Sequence, residues 1–393
     1  MKHFTLLTGA VMLVGAAPPP GPQANYWMDV ATSTGMAAGM TRGGTQPNMA
    51  QIQAMMHGGS GGAQHSLNLY LASKTRAATP EAQHLIPPGM QMGPSLPLVT
   101  PAAAPAERTD YSMPDHFQRP TGRMLIYWGC GEHAGAGQPT VLDFSKMAAG
   151  QVPPGFGSMM SAMRAAQPPH MGQSAGFGEW PNVRDSRPVP AAASLLGAHK
   201  VEGNYSPPIA FSLAAGQDFM PALGLREGGG LASGAIPITW TPPSQATGYA
   251  LSMFGGTQSG DVIVWTSANK ASAFPMMDYL SPSQVKPLVA SGAVLAPSTS
   301  QCTVPAEVVK ASPAGMVMMI GYGPEAGFSD KRKAPTWTVR ARYKTTASLM
   351  LGMAGMFGDS DADQPQAENP QQQPPKKKKR GFGLGDLLQA VPH

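Results

Sequence analysis

Residues Ile236 to Ala268 read IPITWTPPSQATGYALSMFGGTQSGDVIVWTSA. Ile236, Ile238 and Trp240 alternate with their neighbours, and successive strand side chains point to opposite faces, so these three share one side. Thr241-Pro242-Pro243 ends that run, because proline donates no ladder hydrogen bond. Gly248 opens a second run in which Tyr249, Leu251 and Met253 share a face. Gly255-Gly256 and Ser259-Gly260 mark a turn, and Val262 to Trp265 follows at buried-strand length. Three short apolar runs separated by turn residues predict consecutive strands of a β-sandwich.

The pattern I-T-W-T-P-P followed by G-Y-A-L resembles the second and third strands of fibronectin type III domains. That resemblance, over about twenty residues, implies that Trp240 and Tyr249 are core aromatics. The fold expected for the chain is mainly β, with two β-sandwich-like (Ig/fibronectin III-like) domains joined by Gly/Pro/Met-rich linkers and with disordered termini.

Composition sets the limits of that expectation. The chain has 393 residues, of which 47 are Gly and 41 Pro, and only 12% are charged. About half the usual charged share means a surface covered by Ser, Thr, Gln, Gly and Pro, which suits an extracytoplasmic β protein better than a helical cytosolic enzyme. The net charge is +5, and Lys376, Lys377, Lys378, Lys379 and Arg380 supply +5 on their own, so the remainder sums to zero (5 − 5 = 0). A nucleic-acid-binding face spreads its basic residues over a docking surface; this sequence does not, and no nucleic-acid partner is expected.

Met1 to Ala17 (MKHFTLLTGAVMLVGAA) has a basic start, an apolar run and small residues, the pattern of a signal peptide. It is too short to span a bilayer. Residues 18–63 read as a low-complexity Gly/Met/Pro linker, with Tyr26 to Val30 as a short strand inside it. A first β domain is expected over 64–150, carried by the alternating Leu67, Leu69 and Leu71, by RMLIYW at Arg123 to Trp128 and by Thr140 to Phe144. Residues 151–193 read as a second linker. The second sandwich-like domain covers 194–346 and closes with Trp337, Val339, Ala341 and Tyr343 facing in, and Thr338, Arg340, Arg342 and Lys344 facing out. Ser281-Pro282-Ser283-Gln284 predicts a capped helix start. Residues 347–393 read as a disordered tail with the basic run.

Few residues suggest chemistry. Cys130 and Cys302 are the only cysteines; in an exported chain an even count suggests a disulfide, and two separate thiols are the alternative. Cys130, Glu132 and His133 are the closest group of reactive side chains, but a glycine-rich turn explains them as well as a nucleophile pair does. No convincing GxSxG, HExxH, P-loop or Rossmann fingerprint is present, so no catalytic residues and no organic cofactor are expected. The 27 methionines are many, and thioethers are soft ligands that favour Cu(I). Met350-x-x-Met353-x-x-Met356 resembles the methionine motifs of bacterial copper-handling proteins, which implies copper binding; methionine as an adaptable core filler is the plainer reading. The basic run resembles a nuclear localisation signal, a reading void in an exported protein. An anionic membrane face, an acidic polymer, a partner protein or simple solvation of the tail remain open for it.

RMLIYWGCGEHAGAGQPTVLDF and NYSPPIAFSLAAGQDFMPALGL resemble a family of uncharacterised exported proteobacterial proteins, which implies export to the periplasm or outer cell surface and transfers no activity. The expected function is an exported cell-envelope binding or scaffolding protein without catalytic activity, whose partner is an envelope protein or polymer. Periplasmic Cu(I) handling through the methionines is the alternative.

Overall fold

The computed structural model describes residues 21–35, 62–102, 122–143, 146, 167–257, 259–270, 278–330 and 332–352. The segment Met1 to Ala17 expected to be a signal peptide, the Gly/Met-rich stretches at 36–61 and 147–166, Met353, Met356 and the basic run Lys376 to Arg380 lie outside them.

The chain is mainly β. In order, its strands are β1 (Ala24–Thr34), β2 (Gln64–Ser73), β3 (Ala82–Leu85), β4 (Ser95–Leu98), β5 (Arg123–Trp128), β6 (Thr140–Asp143), β7 (Gly176–Trp180), β8 (Gly197–Gly203) and β9 (Ile209–Leu213). After them come β10 (Arg226–Glu227), β11 (Ile236–Thr239), β12 (Gly248–Gly256), β13 (Val262–Thr266), helix α1 (Pro282–Ala290), β14 (Gln301–Val304), helix α2 (Ala306–Ala311), β15 (Gly315–Ser329) and β16 (Trp337–Leu351). Nine strands form one long sheet in the order β6-β5-β13-β12-β15-β16-β1-β2-β7. A three-stranded sheet, β10-β11-β14, and a four-stranded one, β4-β3-β8-β9, complete the set. Two neighbours in the long sheet are parallel, β1 with β16 and β5 with β13.

The stretch from Ile236 divides between two sheets. β11 stops at Thr239, ahead of the paired prolines, and lies in the three-stranded sheet. β12 and β13 lie in the long one. Trp240 and Tyr249 meet edge to face, with ring centroids 5.6 Å apart. Tyr249, Leu251 and Met253 on β12, Tyr26, Met28 and Val30 on β1, and Val339, Ala341 and Tyr343 on β16 all belong to one continuous core. Ile238 and Val304 of the three-stranded sheet belong to it too, as do Leu96, Val201 and Phe211 of the four-stranded sheet. Both small sheets therefore bury apolar side chains against the same face of the long sheet, which is how a sheet with one apolar face hides it. On the opposite face α1 packs Val285 with Ala250, Ile320 and Tyr322. Its start is capped, as the sequence predicts, and the cap is a capping box: Gln284 N–H donates to Ser281 Oγ, and Ser281 N–H donates to Gln284 Oε1 at 2.9 Å.

The sheet order departs from the expected division of the chain. Strands from 64–150 and from 194–346 share the long sheet, so the interval between them does not separate two sheets. The 18–63 region contributes β1, an eleven-residue strand three places from the β7 edge. The 151–193 region contributes β7, and Val189 bridges His65. The tail assigned to 347–393 begins too early, because β16 runs to Leu351. The reason is local: both faces of β16 are covered near its end, where Thr345 and Ala347 are buried on one side and Thr346 and Ser348 on the other. Such a strand shows no alternation of apolar and polar residues.

One close approach sets the spacing between β7 and the four-stranded sheet. A methyl group on Gly178 would collide with the Tyr205 hydroxyl and lie 3.1 Å from the Leu98 carbonyl oxygen. Gly178→Ala is expected to cost about 1–3 kcal/mol in urea-induced unfolding, the range for overpacking a filled core; an unchanged midpoint would show that β7 moves freely.

Candidate functional site

The outer face of β16 carries Thr338, Arg340, Arg342, Lys344, Thr346 and Ser348. The sequence places the three cations outward, and outward ordinarily means wet. Here Arg342 is only 4% exposed. Its partner lies on β1, whose outward residues Asn25, Trp27, Asp29, Ala31 and Ser33 run parallel to it in register: Asn25 beside Thr338, Trp27 beside Arg340, Asp29 beside Arg342 and Ser33 beside Thr346.

That register produces a ladder. Arg342 donates from Nε to Asp29 Oδ1 at 2.7 Å and from Nη2 to Asp29 Oδ2 at 2.6 Å, the two-pronged geometry that makes guanidinium–carboxylate pairs strong. The Arg342 guanidinium lies 4.8 Å from the Trp27 ring centroid on one side and 4.7 Å from that of Tyr279 on the other. Arg340 covers the Trp27 ring at 4.7 Å, and the Lys344 ammonium covers Tyr279 at 4.3 Å. Cations and rings thus alternate as Arg340, Trp27, Arg342, Tyr279 and Lys344, each within cation–π range. Thr338 Oγ1 donates to Asn25 Oδ1 at 2.7 Å below the ladder, and the Ser33 and Thr346 hydroxyls meet at 2.9 Å above it.

Burial dominates the electrostatics. It pushes the Asp29 carboxyl up, against the pull of the Arg342 hydrogen bonds. It disfavours charge on Arg342 as well and is the largest single effect there, but the hydrogen bonds to Asp29 together with the attraction of Asp29 and Asp278 hold the guanidinium above its ordinary value. Burial lowers Lys344, with Asp278 and Asp29 opposing. It raises Tyr279 well above its ordinary value and Tyr70 to about 12, so neither phenol ionises near neutrality. Arg340 pairs with Glu325 at 2.8 Å. Three cations stand with Asp29, Asp278 and Glu325, and the cluster neutralises itself. It offers no activated nucleophile; its chemistry is the clamping of the first strand to the last.

Cys130 and Cys302 are joined in a disulfide, with Cα atoms 5.0 Å apart across 172 residues of sequence. The glycine loop after β5 is fixed to the β14–α2 corner by further bonds: Gly131 N–H to the Thr303 carbonyl at 3.0 Å, Ala306 N–H to the Glu132 carbonyl at 3.0 Å and Ala134 N–H to Glu307 Oε2 at 2.8 Å. His133 pairs with Glu307 at 3.1 Å in the open. The sulfur of Cys130 is spent in the bond, so these residues form a strap and not a nucleophile pair.

Met350 lies on the outer face of β16 directly opposite Met316 of β15, and Met318 lies two residues further along the same face. Among the described residues no group of three or more His, Cys, Asp or Glu is placed to hold a metal, and no helix is long and apolar enough to cross a membrane. No family model matches the chain, and no curated protein or solved structure matches it either.

Sequence reading missed the ladder. Its only signal is the period-two placement of Trp27 and Asp29 on one strand and of Arg340, Arg342 and Lys344 on another, 313 residues away. Asp29→Asn leaves a buried guanidinium without its counter-ion and is expected to destabilise by about 3–5 kcal/mol, whereas Asp29→Leu with Arg342→Met is expected to recover most of that loss. Urea titrations of the variants check this; a small loss in Asp29→Asn would mean that the ladder does not clamp β1.

Proposed function

We propose that this chain is an exported cell-envelope protein that binds or scaffolds, without catalytic activity, and that β10 to β16 form a fibronectin III-like sandwich within it. The observation that carries the reading is strand order. A three-stranded sheet β10-β11-β14 faces β13-β12-β15-β16 of the long sheet across a core containing Trp240 and Tyr249. In chain order this agrees with the three-against-four arrangement expected of a fibronectin III sandwich, which supports the reading suggested by the ITWTPP and GYAL runs. Sandwiches of this kind commonly serve as recognition modules, and the step from sandwich to binding is an analogy of fold. The disulfide supports an oxidising compartment, in line with the signal-peptide pattern at Met1 to Ala17. An envelope protein or polymer is the partner proposed, with Lys376 to Arg380 available for an anionic surface.

The test is the intact mass of native protein from fractionated cells, taken with and without reductant. A mass starting near Ala17 or Pro18 in the envelope or medium, gaining two daltons on reduction, is the expected result. An uncleaved chain in the cytoplasm would overturn the reading.

One observation favours the alternative, Cu(I) handling. Met316 and Met350 are cross-strand neighbours with Met318 beside them, a spacing at which side chains interact directly, and thioethers suit Cu(I). If this reading holds, a Cu(I) competition titration shows binding tighter than micromolar, and Met316→Leu with Met350→Leu weakens it at least tenfold. Binding no tighter than micromolar removes it.

A further inference from the structure

Between the long sheet and the four-stranded sheet runs a closed chain of hydrogen bonds. The Tyr26 hydroxyl, from β1, lies 2.8 Å from His84 Nδ1 on β3. His84 Nε2 lies 2.9 Å from His199 Nδ1 on β8, and His199 Nε2 lies 2.6 Å from the Leu195 carbonyl oxygen. Tyr26, His84 and His199 are almost wholly buried.

With both rings neutral, the geometry fixes every proton in this chain. The Leu195 carbonyl only accepts, so His199 carries its hydrogen on Nε2 and accepts at Nδ1. His84 must then donate from Nε2 and accept at Nδ1, where the Tyr26 hydroxyl donates. In that arrangement all four ring nitrogens are bonded. One added proton forces the chain to turn: wherever it enters, His84 Nδ1 becomes a donor, Tyr26 must accept, and the Tyr26 hydrogen loses its acceptor. The result is a buried cation beside a buried unsatisfied hydroxyl, and both are costly.

The surroundings offer that cation little. Phe211 of β9 stacks on His199 with centroids 5.1 Å apart, and Phe328 of β15 lies against Phe211 at 5.3 Å. Tyr205, from the turn after β8, is the other titratable group acting on Tyr26. Asp218 is held by the Ser194 hydroxyl and by the Leu195 and Phe219 amides. Lys200 and Glu202 pair with each other on the exposed side of β8, and Glu81, ahead of β3, is exposed.

We propose that the Tyr26–His84–His199 chain is an acid-sensitive latch that holds the four-stranded sheet against the long sheet when neutral and releases it when protonated. Burial, with the neighbouring ring, keeps His84 well below its ordinary value, and burial keeps His199 below its own. A histidine whose folded value is depressed takes up its proton first in the unfolded chain. Its contribution is therefore complete above about pH 6.5 and is lost as pH falls from there through the lower folded values. An exported protein would meet such acidity directly, but the latch does not depend on export.

The test uses the full chain at pH 7.5 and 5.0, by urea unfolding and by hydrogen exchange corrected for intrinsic rate. While both rings stay neutral in the folded state, the unfolding constant should rise about tenfold per pH unit per histidine, about a hundredfold for the pair. Amides of β3, β8 and β9 should lose protection ahead of those of β12 and β15. His84→Gln with His199→Gln should flatten the pH dependence. His65, the half-buried ring stacked on Phe219 at 4.0 Å, is retained in that variant. Should the double variant fail to fold, ring titration by nuclear magnetic resonance in the unaltered chain decides: neither ring should protonate near pH 6.5. Ordinary titration of both rings, a flat unfolding constant, or equal loss of protection in all sheets would each overturn the latch.

Discussion

The parallel pairing of β1 with β16 joins the opposite ends of the described chain, and the rest of the long sheet depends on it. Within the long sheet β2 and β7 are joined to the other strands only through β1. Parallel partners separated by some 313 residues receive no help from a connecting turn, so their register must be set by side chains. A slip of one residue would turn Tyr26, Met28 and Val30 out of the core and Trp27 and Asp29 into it. A slip of two would keep the faces but move Asp29 from Arg342 to Arg340 or Lys344 and undo the alternation of rings and cations. Burying an ion pair is weak grounds for stability, because desolvation offsets most of the attraction. The Asp29–Arg342 pair is better understood as the device that makes the neighbouring registers worse.

The two faces of the long sheet therefore do different work. The inner face is apolar and is covered by two small sheets side by side. The outer face is polar along β1 and β16, and apolar over β12 and β15, where α1 lies. At the inner face the Tyr26–His84–His199 chain links the long sheet to the four-stranded one, and with both rings neutral its hydrogen bonds are all made. At the outer face the charges are present but balanced. The same requirement, that buried polar groups find partners, is met in one place by choice of tautomer and in the other by pairing opposite charges.

Local features of the sequence carried over into the structure where a few neighbouring residues decide the outcome. The prolines at 242 and 243 end β11, Ser281 and Gln284 cap α1, and RMLIYW is β5. What could not be read were relations between distant residues. Trp27 and Asp29 sit in a stretch whose composition suggests a linker, and only the distant β16 makes them a central strand. β15 looks like a loop after Tyr322 because GYGPEAG breaks every strand rule, yet the chain absorbs Pro324 in a bulge between Tyr322 and Glu325 and continues to Ser329. The outward cations of β16 were legible as outward, but not as buried, since burial depends on what lies over them. Of the candidate site residues, the cysteines could be read as a pair because there are only two; the ladder and the histidine chain had no such numerical clue.

The strap around Cys130 completes the argument about how distant parts are held. β5 and β13 are the second parallel pair, and the end of β5 leads into the glycine-rich loop. The loop is tied to β14 by sulfur, to the Thr303 carbonyl by Gly131 N–H and to α2 through Glu307. The long sheet is thus joined to the three-stranded sheet covalently at one end of the molecule and to the four-stranded sheet by the Tyr26–His84–His199 chain at the other. A covalent bond does not respond to protons, while the hydrogen-bonded chain does. Acid should therefore act on the contact with the four-stranded sheet without breaking the disulfide to the three-stranded one, and that asymmetry is built into which side chains close each contact.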